Sequence, residues 1–437
     1  MRRLAARESR QEIVKLFAER NADAAAVRER AAEIVQTVKL TGDAALVAYS
    51  REFDQVDLAD GLAVPPEMLS QAEKIISRPL RAAIELAITR IRRFHEAAKP
   101  RSFELKEAGG RVGTDWKPLA RAGVYAPGGT APLFSTLLMC AVPALVAGCE
   151  EIVVCTPPQQ KLGGGVHPAI LACCSILHIR KVFRIGGAQA IAAMAYGTES
   201  VPRVDVIAGP GNSYVTEAKR LVCGDVRIDS LAGPSEVLVI ADASAHPAFV
   251  AADLLAQAEH AGDNGCVVIS PDGALLDQVM AEVDKQLAHL SRQSLARSSM
   301  DRYGLAIHTD SLEEAFDLAN QFAPEHLELM LEHPREWLPR VRCAGAVFLG
   351  AWTPEPLGDY LAGPNHVLPT NGSARFSGPL STDVFMKSTS ILEFDREGLA
   401  SLAEATIRLA EEECLSAHAA SIRIRTSTSP LSGERVG

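Results

Sequence analysis

The sequence contains no CxxC pair, no GxGxxG after a predicted strand and no Walker A stretch. The first absence argues against a zinc ribbon or a thioredoxin-like redox pair. The other two remove the usual dinucleotide fingerprint and phosphate loop. Positive charge is also scarce. The 44 Lys and Arg are outnumbered by 54 Asp and Glu, giving a formal net charge of -10 and a pI near 5.6. That balance argues against an extended basic nucleic-acid footprint and gives no reason to expect anionic membranes as partners. Long apolar runs are missing too. Leu137 to Val146 is apolar but shorter than a membrane span. The N-terminal MRRLAARESRQEIVKLF carries arginine but no apolar signal core, and reads as a short amphipathic helix. The expectation is a soluble, cytoplasmic protein with neither nucleic acid nor membrane as partner. The nine cysteines stand singly apart from Cys173-Cys174 and read as small buried hydrophobes in a reducing compartment.

What is present is enough apolar chain for a substantial core: 437 residues, 47% hydrophobic, pointing to more than one domain. Residues 1 to about 100 read mainly as helix. Ala24 to Val38 is Ala/Glu/Arg-rich, Thr41-Gly42-Asp43 stops it, and Pro66 to Ala98 continues the pattern. From about residue 121 the texture changes to strand, Gly turn and helix. GVYAPGG (Gly123 to Gly129), EIVVCTPP (Glu151 to Pro158), KVFRIGGAQAIAAMAYG (Lys181 to Gly197) and VDVIAGPGN (Val204 to Asn212) repeat that logic. EVLVIAD (Glu236 to Asp242), a helix from Pro247 to His260, GCVVIS (Gly265 to Ser270) and AGAVFLG (Ala344 to Gly350) restart it. Repeated units of this kind predict parallel sheets. The reading is two α/β cores with smaller helical additions and a boundary near residue 235. Residues 401 to 418 read as a charged amphipathic helix, and ASIRIR as a terminal strand. The Gly/Pro/Asn/Ser-rich stretch from 350 to 390 suits a site held by a scaffold.

Gln257 and His260 lie three apart on the predicted helix, hence on one face. A carboxamide oxygen and an imidazole can share a divalent metal, with Asp359 and His418 able to complete the set after folding. N and O ligands suit zinc, manganese or cobalt. Taken alone, His260 reads first as a satisfied structural histidine or a helix cap. Glu325-His326 combines a carboxylate with a histidine able to remove an alcohol proton. The carboxylate could activate water or orient the imidazole, and a solvated helix start is the competing reading. GGAQA (Gly186 to Ala190) and GPGN (Gly209 to Asn212) either bring backbone close to a nucleotide or are simple tight turns. Tyr125 could pack on a ring or ribose, or equally be a partly buried tyrosine. Ser235 and Glu236 could be substrate donors or turn residues. His366 could contact substrate or hold its loop.

The ordered stretches GVYAPGGTAPLFSTLLM, GGAQAIAAMAYGTE, GPGNSYVTEAKR, LAGPSEVLVIAD, LLAQAEH, APEHLEL, GDYLAGPNHVLPT and EEECLSAHAASIRIR closely resemble histidinol dehydrogenases, and GDAALVAYSREFD extends the likeness back to Gly42. The resemblance implies oxidation of L-histidinol through L-histidinaldehyde to L-histidine with two NAD+. It implies one Zn2+ per subunit on Gln257, His260, Asp359 and His418, which also orients substrate. It makes His326 the base for the alcohol and Glu325 the activator of water. Ser235, His366 and Glu413 become substrate-side residues, together with the metal ligands and His326. Tyr125, Gln189 and Asn212 become NAD contacts. The implied fold is two incomplete nucleotide-binding-like parallel α/β cores. The expected partition is an N-terminal arm (1–23), a discontinuous first domain (24–120 and 235–372), a second (121–234) and a dimer-associated C-terminal region (373–437). The implied assembly is an intertwined homodimer. The N-terminal arm is a candidate for packing on the partner, and His418 and Glu413 are candidates for donation across the interface.

Overall fold

The computed structural model describes residues 1–18, 25–128, 131–260 and 262–427. Residues 19–23 of the expected arm, Ala24, Gly129 of the GVYAPGG turn and the tail from 428 lie outside the described residues.

The chain opens with strand β1 (Arg2–Ala5) and helix α1 (Ala6–Ala18), then α2 (Ala25–Thr41), α3 (Asp43–Phe53), α4 (Pro66–Ile75) and α5 (Arg78–Ala98). β2 (Phe103–Glu107) and β3 (Gly110–Pro118) form a hairpin. There follow β4 (Arg121–Tyr125), α6 (Phe134–Ala147), β5 (Glu151–Thr156), α7 (Pro168–Ile176), β6 (Lys181–Arg184), α8 (Gly187–Tyr196), β7 (Val206–Ala208), α9 (Ser213–Val222) and β8 (Arg227–Ile228). A second alternating series is β9 (Glu236–Ala241), α10 (Pro247–Ala258), β10 (Gly265–Ser270), α11 (Gly273–Leu287), α12 (Gln293–Tyr303), β11 (Gly304–His308), α13 (Leu312–Phe322), β12 (His326–Met330), α14 (Pro334–Trp337) and β13 (Ala346–Leu349). The chain then runs through α15 (Glu355–Tyr360), β14 (Met386–Phe394), α16 (Arg396–Glu412) and α17 (Ser416–Thr426).

Two compact units result: Met1–Lys99 with Leu119–Phe385, and Pro100–Pro118 with Met386–Gly437. The first unit holds both parallel sheets. One has the order β6-β5-β4-β7-β8, the other β1-β11-β10-β9-β12-β13. Starting each from its first α/β strand (β4 or β9), the shared order is 3-2-1-4-5, one strand short of a complete dinucleotide-binding sheet. The extra strand β1 sits on the opposite edge. The central strand β9 is buried over its whole length, as a parallel strand covered by helices on both faces must be. Each fully buried Val, Leu or Ile there contributes roughly 1.5–3 kcal/mol.

In the second series α10, α11 and α13 are capped by side chains: His246 accepts from Ala248 N, Asp272 from Ala274 and Leu275 N, and Ser311 from Glu314 N. In the first series α7 and α9 are capped likewise, by His167 and Asn212, while the residues preceding α6 and α8 supply no cap and the Tyr125 hydroxyl accepts from Gly187 N at the start of α8.

Three expectations need correction. The N-terminus is not helix throughout: Arg2–Ala5 pairs with β11 of the same chain before α1 begins. An edge strand of four residues carries no alternation of its own and is made by its partner. ASIRIR is helical, inside α17. Its Ile/Arg alternation is short, and the preceding SAHAA favours helix. The helix expected at 401 to 418 is α16, which starts earlier because Asp395 accepts from Gly398 N, and ends where Cys414 turns left-handed at φ 59.

The second unit comprises the antiparallel sheet β14-β3-β2 with α16 and α17. Its strands are largely exposed, Leu392 at 70% and Phe103 at 56% among them. No helix among the described residues is long and apolar enough to cross a membrane.

Candidate active site

The chemistry collects at the N-terminal edge of the sheet built on β9. α13 ends at Ala323 in the left-handed region (φ 52), and Pro324 blocks its continuation. Glu325 therefore enters the sheet, and His326 is the first residue of β12. Glu325 and His326 are 5% and 4% exposed, so the solvated helix start is excluded. Gly345 and Ala346 donate to the carbonyls of Pro324 and Glu325, and a Cβ at Gly345 would lie 2.6 Å from the Glu325 oxygen.

Gln257 is in the last turn of α10. His260 lies just beyond the helix, in a turn where its N–H still reaches Gln257 O at 3.3 Å. The predicted one-face pair is thus a helix end plus a turn. Asp359 sits on α15, one turn after Glu355. His366 lies in the following loop, whose neighbour Asn365 is pinned by donating to Met139 O at 2.6 Å, with His95 Nε2 3.3 Å away.

The three imidazoles share one arrangement. His260 Nδ1 is 3.1 Å from Ala256 O, His326 Nδ1 3.0 Å from Glu236 O, and His366 Nδ1 2.9 Å from Asp359 O. A carbonyl only accepts, so each Nδ1 carries the proton and each Nε2 is left with its lone pair. All three rings surround Asp359. His260 Nε2 is 3.8 Å from Oδ2, while His326 Nε2 and His366 Nδ1 are 4.0 and 3.7 Å from Oδ1. The His366 Nε2 faces the Thr136 hydroxyl at 3.4 Å. His326 Nε2 and Gln257 Oε1 are buried with no hydrogen-bond partner among the described residues.

The electrostatics follow from burial. Burial pulls His326 down to about 4, against the charge of Asp359, which raises it. Burial lowers His366 in the same way. Glu325 is held well above the usual carboxylate range by burial and by the charges of Glu236 and Asp359. The Glu236 N–H at 2.9 Å and the Ser235 hydroxyl oppose this by donating to it. Glu355 was not singled out from the sequence. It is 1% exposed, and one ligand atom each from His326, Glu355 and Asp359 lie within 4.8 Å of one another. Burial, then Asp359 and Glu328, holds its carboxyl well above the usual range. The usable signal was its i, i+4 spacing to Asp359.

The orphaned Gln257 Oε1 is the kind of buried acceptor that a bound cation would satisfy. Gln257 Oε1, His260 Nε2 and the Asp359 carboxylate are all lone-pair donors of types that divalent metals take. A mostly apolar cavity of about 160 Å³, lined in part by Ile84, Ile91, Phe134 and Leu138, adjoins Asp359.

The cofactor candidates sit on the other sheet, at its C-terminal edge, where β4 and β7 part: the switch point of the strand order. Tyr125 ends β4, is 4% exposed, and accepts from Gly187 N at 3.1 Å; burial pushes its phenol up to about 12. Gln189, also buried, folds back over Gly187. Asn212 is exposed and caps α9 by accepting from Val215 N.

The profile of histidinol dehydrogenases matches residues 18–426. The chain belongs to the histidinol dehydrogenase family. The histidinol dehydrogenase of Parasynechococcus marenigrum (strain WH8102) is 50% identical over 402 residues, covering 92% of this chain and 91% of that relative. The enzyme of Synechococcus sp. (strain ATCC 27144 / PCC 6301 / SAUG 1402/1) is 49% identical over 421 residues, 96% of each chain. The crystal structure of histidinol dehydrogenase from Elizabethkingia anophelis superposes with a TM-score of 0.91 at 38% identity, covering 95% of both chains.

Of the residues expected in a histidinol dehydrogenase site, the first unit brings together Ser235, Gln257, His260, Glu325, His326, Asp359 and His366. Glu413 and His418 belong to the second unit, where both are exposed, at the end of α16 and on α17.

Proposed function

We propose that this chain oxidises L-histidinol through L-histidinaldehyde to L-histidine, consuming two NAD+ and one water and releasing two NADH and three protons. The observation that carries the reading is the ring of imidazoles around Asp359, each with Nδ1 tied to a carbonyl, beside the buried Glu325-His326 pair.

Gln257, His260 and Asp359 would hold the metal, with His418 as fourth ligand. Zinc held there would supply a Lewis-acidic anchor for orienting the substrate. NAD+, when bound at the switch point near Tyr125, Gln189 and Asn212, supplies the electron acceptor for each oxidation. The protein's own part is proton handling and alignment. His326 takes the alcohol proton at Nε2, because Nδ1 is committed to the Glu236 carbonyl. Glu325 takes the proton of the water that adds to the aldehyde. Its carboxylate is held by the Glu236 amide, which donates to Oε2, and by the Ser235 hydroxyl. Ser235, His366 and Glu413 line the substrate. The burial of Glu325 and His326 keeps stray water from the aldehyde.

The working assembly is an intertwined homodimer in which His418 and Glu413 come from the partner subunit. The exposed apolar residues of the second unit, Leu392, Phe103 and Leu409 among them, support a covered face there. The described cysteines are all free, in keeping with a cytoplasmic setting.

The test counts NADH formed per L-histidinol consumed, with product identification, in metal-stripped and zinc-restored protein. Two NADH and one L-histidine, restored by zinc, are expected. No turnover by folded, zinc-loaded protein would shift the substrate to another polar alcohol. In Glu325→Gln the same count should fall from two toward one, with aldehyde released. A count that stays at two removes Glu325 from the second step.

A further inference from the structure

The mechanism above makes no use of a fully buried lysine. Lys219, on α9, is 1% exposed, and its ammonium pairs with Asp229, whose side chain is 2% exposed. Two charges in an apolar core carry a desolvation cost that well-packed apolar residues would avoid. Their hydrogen bonds show where that cost is spent. Lys219 Nζ donates to Gly209 O at 3.0 Å, and Gly209 N donates to Asp229 Oδ2 at 2.7 Å. Both polar groups of a single residue are gripped by the two ends of one ion pair.

That residue is the first of the GPGN loop. Gly209 has φ +122, and a Cβ there would lie 2.1 Å from the Tyr125 oxygen. The clamp therefore presses the loop onto the end of β4, at the switch point between β4 and β7. Asp229 also follows directly on β8 and accepts from Ser230 N at 2.6 Å. From there residues 230–235 lead into β9, whose first residue, Glu236, offers the carbonyl that holds His326. The same short segment is tied to α9 where the Thr216 hydroxyl donates to Ala232 O at 2.6 Å.

We propose that Lys219 and Asp229 are positioning residues that fix the Gly209–Asn212 loop for the dinucleotide. The proposal rests on the reading of the switch point as the NAD+ seat. The pair touches no reacting atom and acts through the Gly209 peptide.

The test uses the full-length, zinc-loaded protein with Lys219→Met and Asp229→Asn combined, which removes both charges at nearly constant volume. The KM for NAD+ and the Kd for NADH, read by nucleotide fluorescence, should each rise by about ten-fold or more, since small misplacements are costly in oriented reactions. The KM for L-histidinol and the zinc content should stay unchanged. An equal rise in both KM values, or no change in either, overturns the proposal. Asp229→Asn alone keeps the shape and one acceptor for the Gly209 N–H. It is read by the same constants if the double variant does not fold, and an unchanged Kd for NADH there is equally fatal. Unmodified protein that neither binds NADH nor oxidises histidinol would instead remove the underlying functional reading. Binding and turnover intact in both proteins would remove only the clamp.

Discussion

His260→Ala is expected to lose the metal and turnover together while staying folded. The side chain is 41% exposed, so its removal leaves little cavity, and stability should change by only about 0.5 kcal/mol. What goes is one of the lone-pair donors facing Asp359. Loss of a partner one shell further out already costs roughly 10–100-fold in metal affinity. A direct ligand should cost at least that, enough to strip the ion on dialysis. Elemental analysis beside a thermal melt decides it. Unchanged metal in folded protein would move the ion to the neighbouring group of His326, Glu355 and Asp359, whose ligand atoms lie within 4.8 Å of one another.

His326→Ala should separate metal binding from chemistry. Its Nε2 is buried and unpartnered among the described residues, and its Nδ1 is committed. Removing the base should lower kcat by about 10²–10⁴. Metal content should persist, because the proposed ligands are untouched. The Glu236 carbonyl loses its donor, so some loss of stability, on the order of 1–3 kcal/mol, should accompany it. Single-turnover NADH formation from L-histidinol, with metal analysis, is the measurement. Turnover at the unmodified rate would reject His326 as the base.

The two outcomes bear on how far the chain could be read before folding. Strands such as Glu236–Ala241 and Gly265–Ser270 were legible because central parallel strands are apolar on both faces. The strand at Arg2–Ala5 was not, since what makes it a strand is the β11 edge some three hundred residues away. The Ile/Arg alternation of ASIRIR misled because local alternation says nothing of whether a sheet edge is waiting. In the site, Gln257 and His260 were visible as a spaced pair. Asp359 and His366 were visible as polar residues in a loop-rich stretch. Glu355 was hidden, because what singles it out is burial against Asp359 and His326, a property of the fold. The Nδ1 bonds that fix each imidazole likewise come from backbone carbonyls, which no sequence pattern names.

The helix starts at the two sheet edges bear on traffic through the enzyme. At the C-terminal edge of the β9 sheet, His246, Asp272 and Ser311 already occupy the N–H groups that a phosphate would seek. At the same edge of the β4 sheet, His167 and Asn212 cap α7 and α9 in the same way, and the first N–H of α8 is taken by the Tyr125 hydroxyl, while α6 begins without a side-chain cap. If NAD+ sits at the β4–β7 switch point, as proposed, the nucleotide has a single berth. If two oxidations occur on one bound substrate, they must queue for it. The spent carrier has to depart while the aldehyde waits, so the residence time of NADH, more than either bond-breaking event, would govern how long the reactive intermediate is held.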